Sequence, residues 1–297
     1  MPILFLSALF VCKAFSAETA APYIQANAIP IDDSLQLSPK ALASIEHYKI
    51  VAVGEMHGND KTPLFVAQLV KALAAKQRVI LGLEITQDNQ KGIDQFLKTR
   101  DLSILKGLPH FNRKYQDGRS SKAMAELIEI AGKLPNVTLI TYDPSSPTSG
   151  QDRDTKMAEN IISAYKTRNV NEATRLVLFA GNYHMAMKVG TPFDSKYRPA
   201  LLELVSIPQT PFQEQDVFSI FIRYSTGSSW MCFTTEASEC GTKEIKKQSS
   251  YSTAVPFAHY FLKEENKTDE GYLSSLFLRM VSASPPFVQN SRKGELK

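Results

Sequence analysis

The usual signatures of phosphate-cradling and serine-nucleophile enzymes are missing from this chain. It has no GxSxG elbow, no Walker loop and no GxGxxG fingerprint. Serine-hydrolase, nucleotide-hydrolysing and dinucleotide readings lose their sequence support accordingly. An HExxH zinc motif is absent as well. Charge of one sign is scarce: 34 basic and 30 acidic side chains leave a formal net charge of +4. No Lys/Arg stripe interleaves with aromatics, so no nucleic-acid partner is expected. Three cysteines among 297 residues are too few for a disulfide scaffold, and two alone make no zinc site. No internal repeat or low-complexity tract is present, which excludes solenoids and linker-dominated architectures. A 43% hydrophobic and 22% charged composition is that of a globular protein, long enough for one large domain or a domain with an appendage.

The N-terminus carries "PILFLSALFVCKAFSA", an apolar run of secretory-signal length followed by small residues. It is too short for a spanning helix. No Lys or Arg precedes the run, and Lys13 stands behind it. Residues 1–17 are read as a signal peptide, the alternative being an anchoring or buried helix. The signal implies a periplasmic or secreted protein with no transmembrane domain in its mature form. Val11 before Cys12 argues against lipidation. Cys232 and Cys240 remain after removal of the signal, and in an exported protein they are expected to pair across a short loop.

Strand and helix patterns alternate through the middle of the chain. Strands are predicted at Lys49–Val53, Val79–Leu83, Val137–Tyr142, Leu176–Phe179 and Leu201–Ile207. Helices fall around Leu64–Leu73, over Ser121–Leu134 and over Asp154–Tyr165, where Met157, Ile161 and Tyr165 recur every fourth residue. This order predicts an α/β fold with a mostly parallel sheet and helices on both faces, over residues 40–210. Residues 98–120 lack a period and read as a long loop or short helices, of the kind that form lids. Beyond Pro211 the pattern turns strand-like. "DVFSIFIRY" and "SWMCFT" are joined by "STGSS", a hairpin signal, and "STAVPFAHYFL" and "GYLSSLFLRMV" add further β structure. Residues 211–290 are therefore a C-terminal β-rich extension packed on the α/β domain, ending in the tail "SRKGELK".

Polar residues gather where the predicted strands end. The first strand runs into Glu55 and His57, the second into Glu84, the third into Asp143 and the fourth into Asn182 and His184. In a parallel sheet those ends share one rim, where ligands of open α/β sheets bind. Glutamate is seldom buried unpaired, so Glu84 in its apolar strand needs a partner. Arg153 is available to pair with Glu84 or Glu55, while Asp152 or Asp154 caps the helix that follows. Asp143, before "PSSPTSG", reads as a turn residue, and His47, His110 and His259 as structural or surface groups. Two glutamates, two histidines and an arginine suit hydrolysis by general acid–base groups, with or without a divalent metal. Glu55, His57, Glu84 and His184 are the candidate metal ligands. The other chemistry open to this set is ligation of a haem iron, with His57 and His184 as the cofactor-binding histidines.

"VGEMHG", "GLEI", "RDTKMAENI" and "AGNYHM", in this order, resemble the erythromycin esterase, ChaN and TIKI superfamily over roughly residues 45–210. The matching positions are Gly54, Glu55, His57, Glu84, Arg153, Asp154, Met157, Ala158, Gly181 and His184. The resemblance implies an α/β fold with a His/Glu cleft. Its members include hydrolases that use histidine and glutamate, metal-dependent peptidases, and exported haem-binding proteins of iron uptake. The chain departs from the ChaN pattern after His57, where "GNDKTPLF" holds no second histidine. The expectation is an exported hydrolase of esters, lactones or amides, with Glu55, His57, Glu84, Arg153 and His184 as catalytic residues. A haem-binding protein of iron acquisition is the alternative, and a protein with an inherited but inactive cleft is the third reading. The substrate is a small molecule or peptide in the first case.

Overall fold

A computed structural model describes residues 17–289 except 114, 147, 169, 172, 209, 234–235 and 247–249. The predicted signal, with Cys12, falls almost wholly outside the described residues, as does the tail at 291–297.

The strands are β1 (Ile29–Ile31), β2 (Ile50–Glu55), β3 (Val79–Thr86), β4 (Val137–Asp143), β5 (Arg175–Gly181), β6 (Val217–Cys232), β7 (Cys240–Lys246), β8 (His259–Lys263) and β9 (Ser274–Val281). Helices α1 (Ala17–Asn27), α2 (Pro39–Ala43), α3 (Lys61–Ala74), α4 (Gln90–Thr99), α5 (Leu102–Gly107), α6 (Lys122–Gly132), α7 (Gly150–Lys166), α8 (Ala200–Leu204) and α9 (Ser250–Thr253) lie between and before them. One sheet runs β1-β8-β9-β6-β2-β5-β3-β4, with β7 added to the far half of β6. β2 pairs in parallel with β5 and β6, β3 with β4 and β5, and β6 with β9. The edge pairs β1–β8, β8–β9 and β6–β7 are antiparallel. The fold is thus the mostly parallel α/β sheet that strand–helix alternation implies.

Every residue of β2 is buried, because alternate side chains enter different cores. Val51 and Val53 join the core under α3 and α6, and Ile50 and Ala52 join the one under α7 and α8. Two covered faces explain why the central strands read as unbroken apolar runs. Ser121 caps α6 by accepting from the Met124 N–H at 3.3 Å, and Met124, Leu127, Ile128 and Ala131 then face the core. Each such buried leucine or isoleucine contributes about 1.5–3 kcal/mol of burial.

Three sequence readings are corrected here. Leu201–Ile207 is not a strand: Pro199 stands at the N-cap of α8, which buries Ala200, Leu201 and Leu204. "STGSS" is not a hairpin turn, because β6 continues through it. Gly227 has φ +127°, and a Cβ there would lie 1.9 Å from the Val281 carbonyl oxygen, so the glycine admits the β9 backbone. The hairpin comes later, between β6 and β7, where Cys232 and Cys240 form the expected disulfide. Neither Asp152 nor Asp154 caps α7, whose N-cap residue is Ser149.

Candidate active site

Glu55 closes β2 opposite Gly181, the last residue of β5, and Asp143 closes β4. Glu84 lies within β3 next to a register shift between Leu83 and Thr86. These strands are parallel, so their carboxyl ends meet at one rim.

Glu84, only 4% exposed, is the centre of the arrangement. Its Oε1 accepts from Arg153 Nη2 at 2.7 Å and from Arg119 Nη1 at 2.9 Å. Its Oε2 accepts from the Gly181 N–H at 2.8 Å and lies 3.3 Å from His57 Nε2. His57 turns its Nδ1 to Glu55 Oε1 at 3.0 Å. Arg153 also grips Asp143 through Nε at 2.8 Å and Nη2 at 3.0 Å. Arg119 grips Asp117, with Nη2 at 2.6 Å.

His184 stands on the other side of Glu84, with Nε2 at 3.8 Å from Oε1. Its Nδ1 is 2.9 Å from both oxygens of Asp154. Arg153 Nη1 donates to His184 Nε2 at 3.0 Å. A guanidinium has no lone pair to offer, so Nε2 meets it with its own and the ring proton sits on Nδ1. Asp154 is fully buried and held further by the Ala200 N–H at 2.6 Å and by the Tyr197 hydroxyl. Two imidazoles, each oriented by its own carboxylate, therefore converge on the carboxylate of Glu84.

The charges are coupled. Burial opposes a charge on His57, but Glu84 and Glu55 override it and push its pKa up to about 10. Burial likewise opposes the Glu84 carboxylate, yet the charges of His57 and Arg119 hold it well below the usual range. Burial raises Glu55, and the hydrogen bond and charge of His57 offset that only in part. Arg119 and Arg153 are both raised against burial, with Glu84 the largest favourable partner of each.

The structure brings together the side chains of Glu55, His57, Glu84, Arg153 and His184. Arg153 pairs with Glu84 and Asp143, not Glu55. Sequence reading missed Arg119, Asp117, Asp143, Asp154 and Tyr197. Asp143 is the last residue of a strand rather than a turn residue, and Asp154 is the partner of His184 rather than a cap. The strand-end position of Asp143 was the available signal. Arg119 gave none, because it stands in the aperiodic 98–120 segment, whose described residues hold the short helix α5 and the 3-10 turn Gly118–Ser120 joined by irregular chain. His47 and His259 lie apart from this cluster, and His110 is buried beside it, its Nε2–H donating to the Arg119 carbonyl at 2.9 Å.

The arrangement does not suit a divalent metal at Glu55, His57, Glu84 and His184. Glu84 is already saturated by two guanidiniums, an amide and an imidazole, and among the described residues no group of three or more His, Cys, Asp or Glu is placed to hold a metal ion. Haem iron does not fit these histidines as they stand either, since each ring nitrogen faces a carboxylate or a guanidinium.

Two cavities adjoin the cluster. One, of about 530 Å³, lies beneath the 182–199 segment, with Tyr183, Phe221 and Tyr272 in its wall. The other, of about 620 Å³, opens beside Arg119 and Arg153. No helix among the described residues is long and apolar enough to cross a membrane.

A family model described as "Haem-binding uptake, Tiki superfamily, ChaN" matches residues 41–130, in agreement with the motif resemblance. No curated protein matches the sequence significantly. Among solved structures, a succinoglycan biosynthesis protein is similar at a TM-score of 0.70 and 10% identity, covering 91% of this chain and 98% of its own. A Bacillus cereus protein has a TM-score of 0.64 at 12% identity, covering 92% of this chain and 100% of its own. A mutant of the erythromycin esterase EreC in an open conformation has a TM-score of 0.61 at 10% identity, covering 87% and 98%. At these identities the likeness is one of fold.

Proposed function

We propose that the protein is an exported hydrolase of ester, lactone or amide bonds. The observation that carries this reading is the convergence of two histidine–carboxylate pairs on Glu84, with Nε2 of His57 at 3.3 Å and Nε2 of His184 at 3.8 Å. His57 is the cationic member, so it serves as the acid, and His184 serves as the base. A water that replaces the Arg153 contact at His184 Nε2 gives up its proton there as its oxygen bonds to the acyl carbon. Asp154 stabilises the imidazolium that forms. Arg153, released from that contact, faces the carbonyl oxygen as negative charge develops on it. His57 Nε2–H protonates the leaving oxygen or nitrogen as its bond to the acyl carbon breaks. The proton gained by His184 then returns to His57 across Glu84, which restores the starting state. No step uses a metal.

The test is turnover of a panel of esters, lactones and amides by the purified mature chain. Activity is expected to fall by about 10²–10⁴ in His57→Ala and in His184→Ala with unchanged circular dichroism. Turnover that persists in both variants, or none across the panel, sinks the reading. The disulfide between Cys232 and Cys240 supports an oxidising compartment. Cell fractionation that leaves the protein in the cytosol with both thiols free to alkylate would refute export.

Haem binding is the second reading, and the family model match at residues 41–130 favours it. It requires His57 or His184 to leave a carboxylate. A stoichiometric Soret band on hemin titration, lost in His57→Ala or His184→Ala, would select it.

A further inference from the structure

The cavity of about 530 Å³ lies on the β6 side of the rim, away from the one on the β3–β4 side. Its walls are built on the backbone that carries the cluster. Asn182 and Tyr183 line it and stand between Gly181 and His184. A Cβ on Gly181 would already lie within 3.6 Å of His57, His184 and Glu84. Tyr272, another wall residue, packs over Gly54, the residue before Glu55, and donates its hydroxyl to the Asn182 carbonyl. The cavity therefore begins directly beside two residues of the cluster.

The lining is mainly apolar, with Tyr183, Val189, Phe221 and Tyr272 in it and the Phe221 and Tyr272 rings 5.0 Å apart. Its charges are paired or stand at the solvent edge. Glu270 accepts from Arg223 at 2.9 and 3.2 Å. Lys188 and Asp269 are exposed, and Lys188 Nζ donates to the Asp269 carbonyl at 2.8 Å. Asn182 differs: among the described residues its side-chain amide has no hydrogen-bond partner, so a donor and an acceptor stay free at the wall. The mouth is apolar as well. Of the six large apolar side chains that stand exposed among the described residues, Tyr183, Val189 and Phe193 fall in this one stretch. Phe193 is 85% exposed and meets Tyr183 edge-on, with ring centroids 6.0 Å apart. Single exposed apolar residues are ordinary, but three gathered at the entrance of an apolar cavity mark a ligand site. The turn that carries Phe193 is closed by the Gly190 N–H on the Tyr197 carbonyl at 2.7 Å and the Thr191 N–H on the Asp194 carbonyl at 2.8 Å. The Tyr197 hydroxyl in turn holds Asp154, the partner of His184, so the mouth is tied to that imidazole.

We propose that this cavity seats an uncharged, largely apolar group of the substrate, with Asn182 meeting one polar atom on it and Phe193 covering it at the mouth. The assignment to a substrate rests on the hydrolase reading. A charged group would lose its water here without gaining a partner, whereas an apolar one gains aromatic walls. The substrate is thus an ester, lactone or amide with a bulky uncharged part on one side of the scissile bond.

Calorimetric titration of the purified mature chain with 2-naphthamide, a neutral ring system bearing one amide, tests this without requiring turnover. Saturable one-to-one binding is expected, and 2-naphthoate, the same rings with a carboxylate, is expected to bind about tenfold more weakly. Val189 and Phe193 are exposed, so both can be replaced with little risk to folding. Val189→Glu puts a charge in the apolar wall and Phe193→Ala removes the cover; each is expected to weaken 2-naphthamide about tenfold. Met280→Ser, at an equally exposed apolar position on β9, is expected to leave binding unchanged. No saturable binding, equal binding of the naphthoate, full affinity in both Val189→Glu and Phe193→Ala, or a comparable loss in Met280→Ser overturns the proposal. Turnover of esters without 2-naphthamide binding would sink this inference and leave the hydrolase intact, whereas 2-naphthamide binding without any turnover would do the reverse.

Discussion

Replacing Glu84 with glutamine isolates the central charge of the site. The amide preserves shape and one acceptor oxygen, but that oxygen cannot serve Gly181 and two guanidiniums together. His57 loses one of its two carboxylates and keeps Glu55. Breaking a buried ion pair from one side costs 3–5 kcal/mol, and the arginines and His57 retain roughly a fifth to a quarter of their side-chain exposure. The lower end of that range, about 3 kcal/mol, is therefore expected, a fall in Tm of roughly 6–12 °C. The pH dependence has a definite sign. The folded pKa of Glu84 is depressed, so its contribution is present above the ordinary value of 4.5 and is lost as pH falls below it. The folded pKa of His57 is raised, so its contribution is complete below 6.5 and is lost as pH rises towards about 10. The gap between wild type and Glu84→Gln should thus be widest near neutrality, close fully in acid and narrow in alkali, where the arginines still hold Glu84. Thermal melts across pH measure the gap, and imidazole NMR should show the His57 pKa moving down from about 10 in the variant. A variant within about 1 kcal/mol of wild type at neutral pH, or an unmoved His57 titration, would refute the reasoning.

Three further outcomes follow from contacts around the same rim. A Cβ on Gly181 would lie 3.0 Å from His57 Nε2 and 3.6 Å from Glu84 Oε2, so Gly181→Ala should displace His57 and lower kcat by about 10–100-fold while Tm barely moves; unchanged kinetics would contradict the assigned geometry. Tyr197→Phe removes a hydroxyl donor from Asp154, and about 1 kcal/mol of stability and about tenfold in kcat should go with it, at constant KM; an unaltered kcat would mean that Asp154 holds His184 unaided. Opening the Cys232–Cys240 bridge in Cys232→Ser/Cys240→Ser frees a short loop and should cost about 2.5 kcal/mol in denaturant melts, an effect that dithiothreitol reproduces on the wild type; a smaller loss under both conditions would show that β7 is held by its strand pairing alone.

Strand-end logic made much of this site legible. Glu55, Glu84 and His184 announce themselves because polar residues at the ends of fully apolar strands need partners, and parallel pairing puts those ends together. The logic fails where a residue's role depends on a distant partner. Asp154 looks like any acidic residue of a first helical turn until Ala200, Tyr197 and His184 close around it. Arg119 is set by the fold of an aperiodic segment, so no periodicity reports it. Local pattern also misleads when tertiary pairing overrides it. "STGSS" has hairpin composition, yet pairing with β9 and β7 on either side keeps β6 extended. "LLELV" has an apolar content that suits strand or helix, and Pro199 at the N-cap decides for helix.

The long strand β6 has a consequence for when the site comes into being. Its first half pairs with β2, and beyond the rim the Ser229 hydroxyl donates to the His57 carbonyl, the Trp230 N–H to the Gly58 carbonyl and the Trp230 indole to the Gln116 carbonyl. Residues synthesised after all of those in the cluster thus brace the two segments that carry His57 and Arg119. A growing chain holds every acid and base of the cleft by residue 184 but cannot lock them until β6 has emerged and docked. Assembly of this cluster therefore waits for a strand that lies well beyond its last histidine, so that a nascent chain ending before β6 would carry these side chains without their brace.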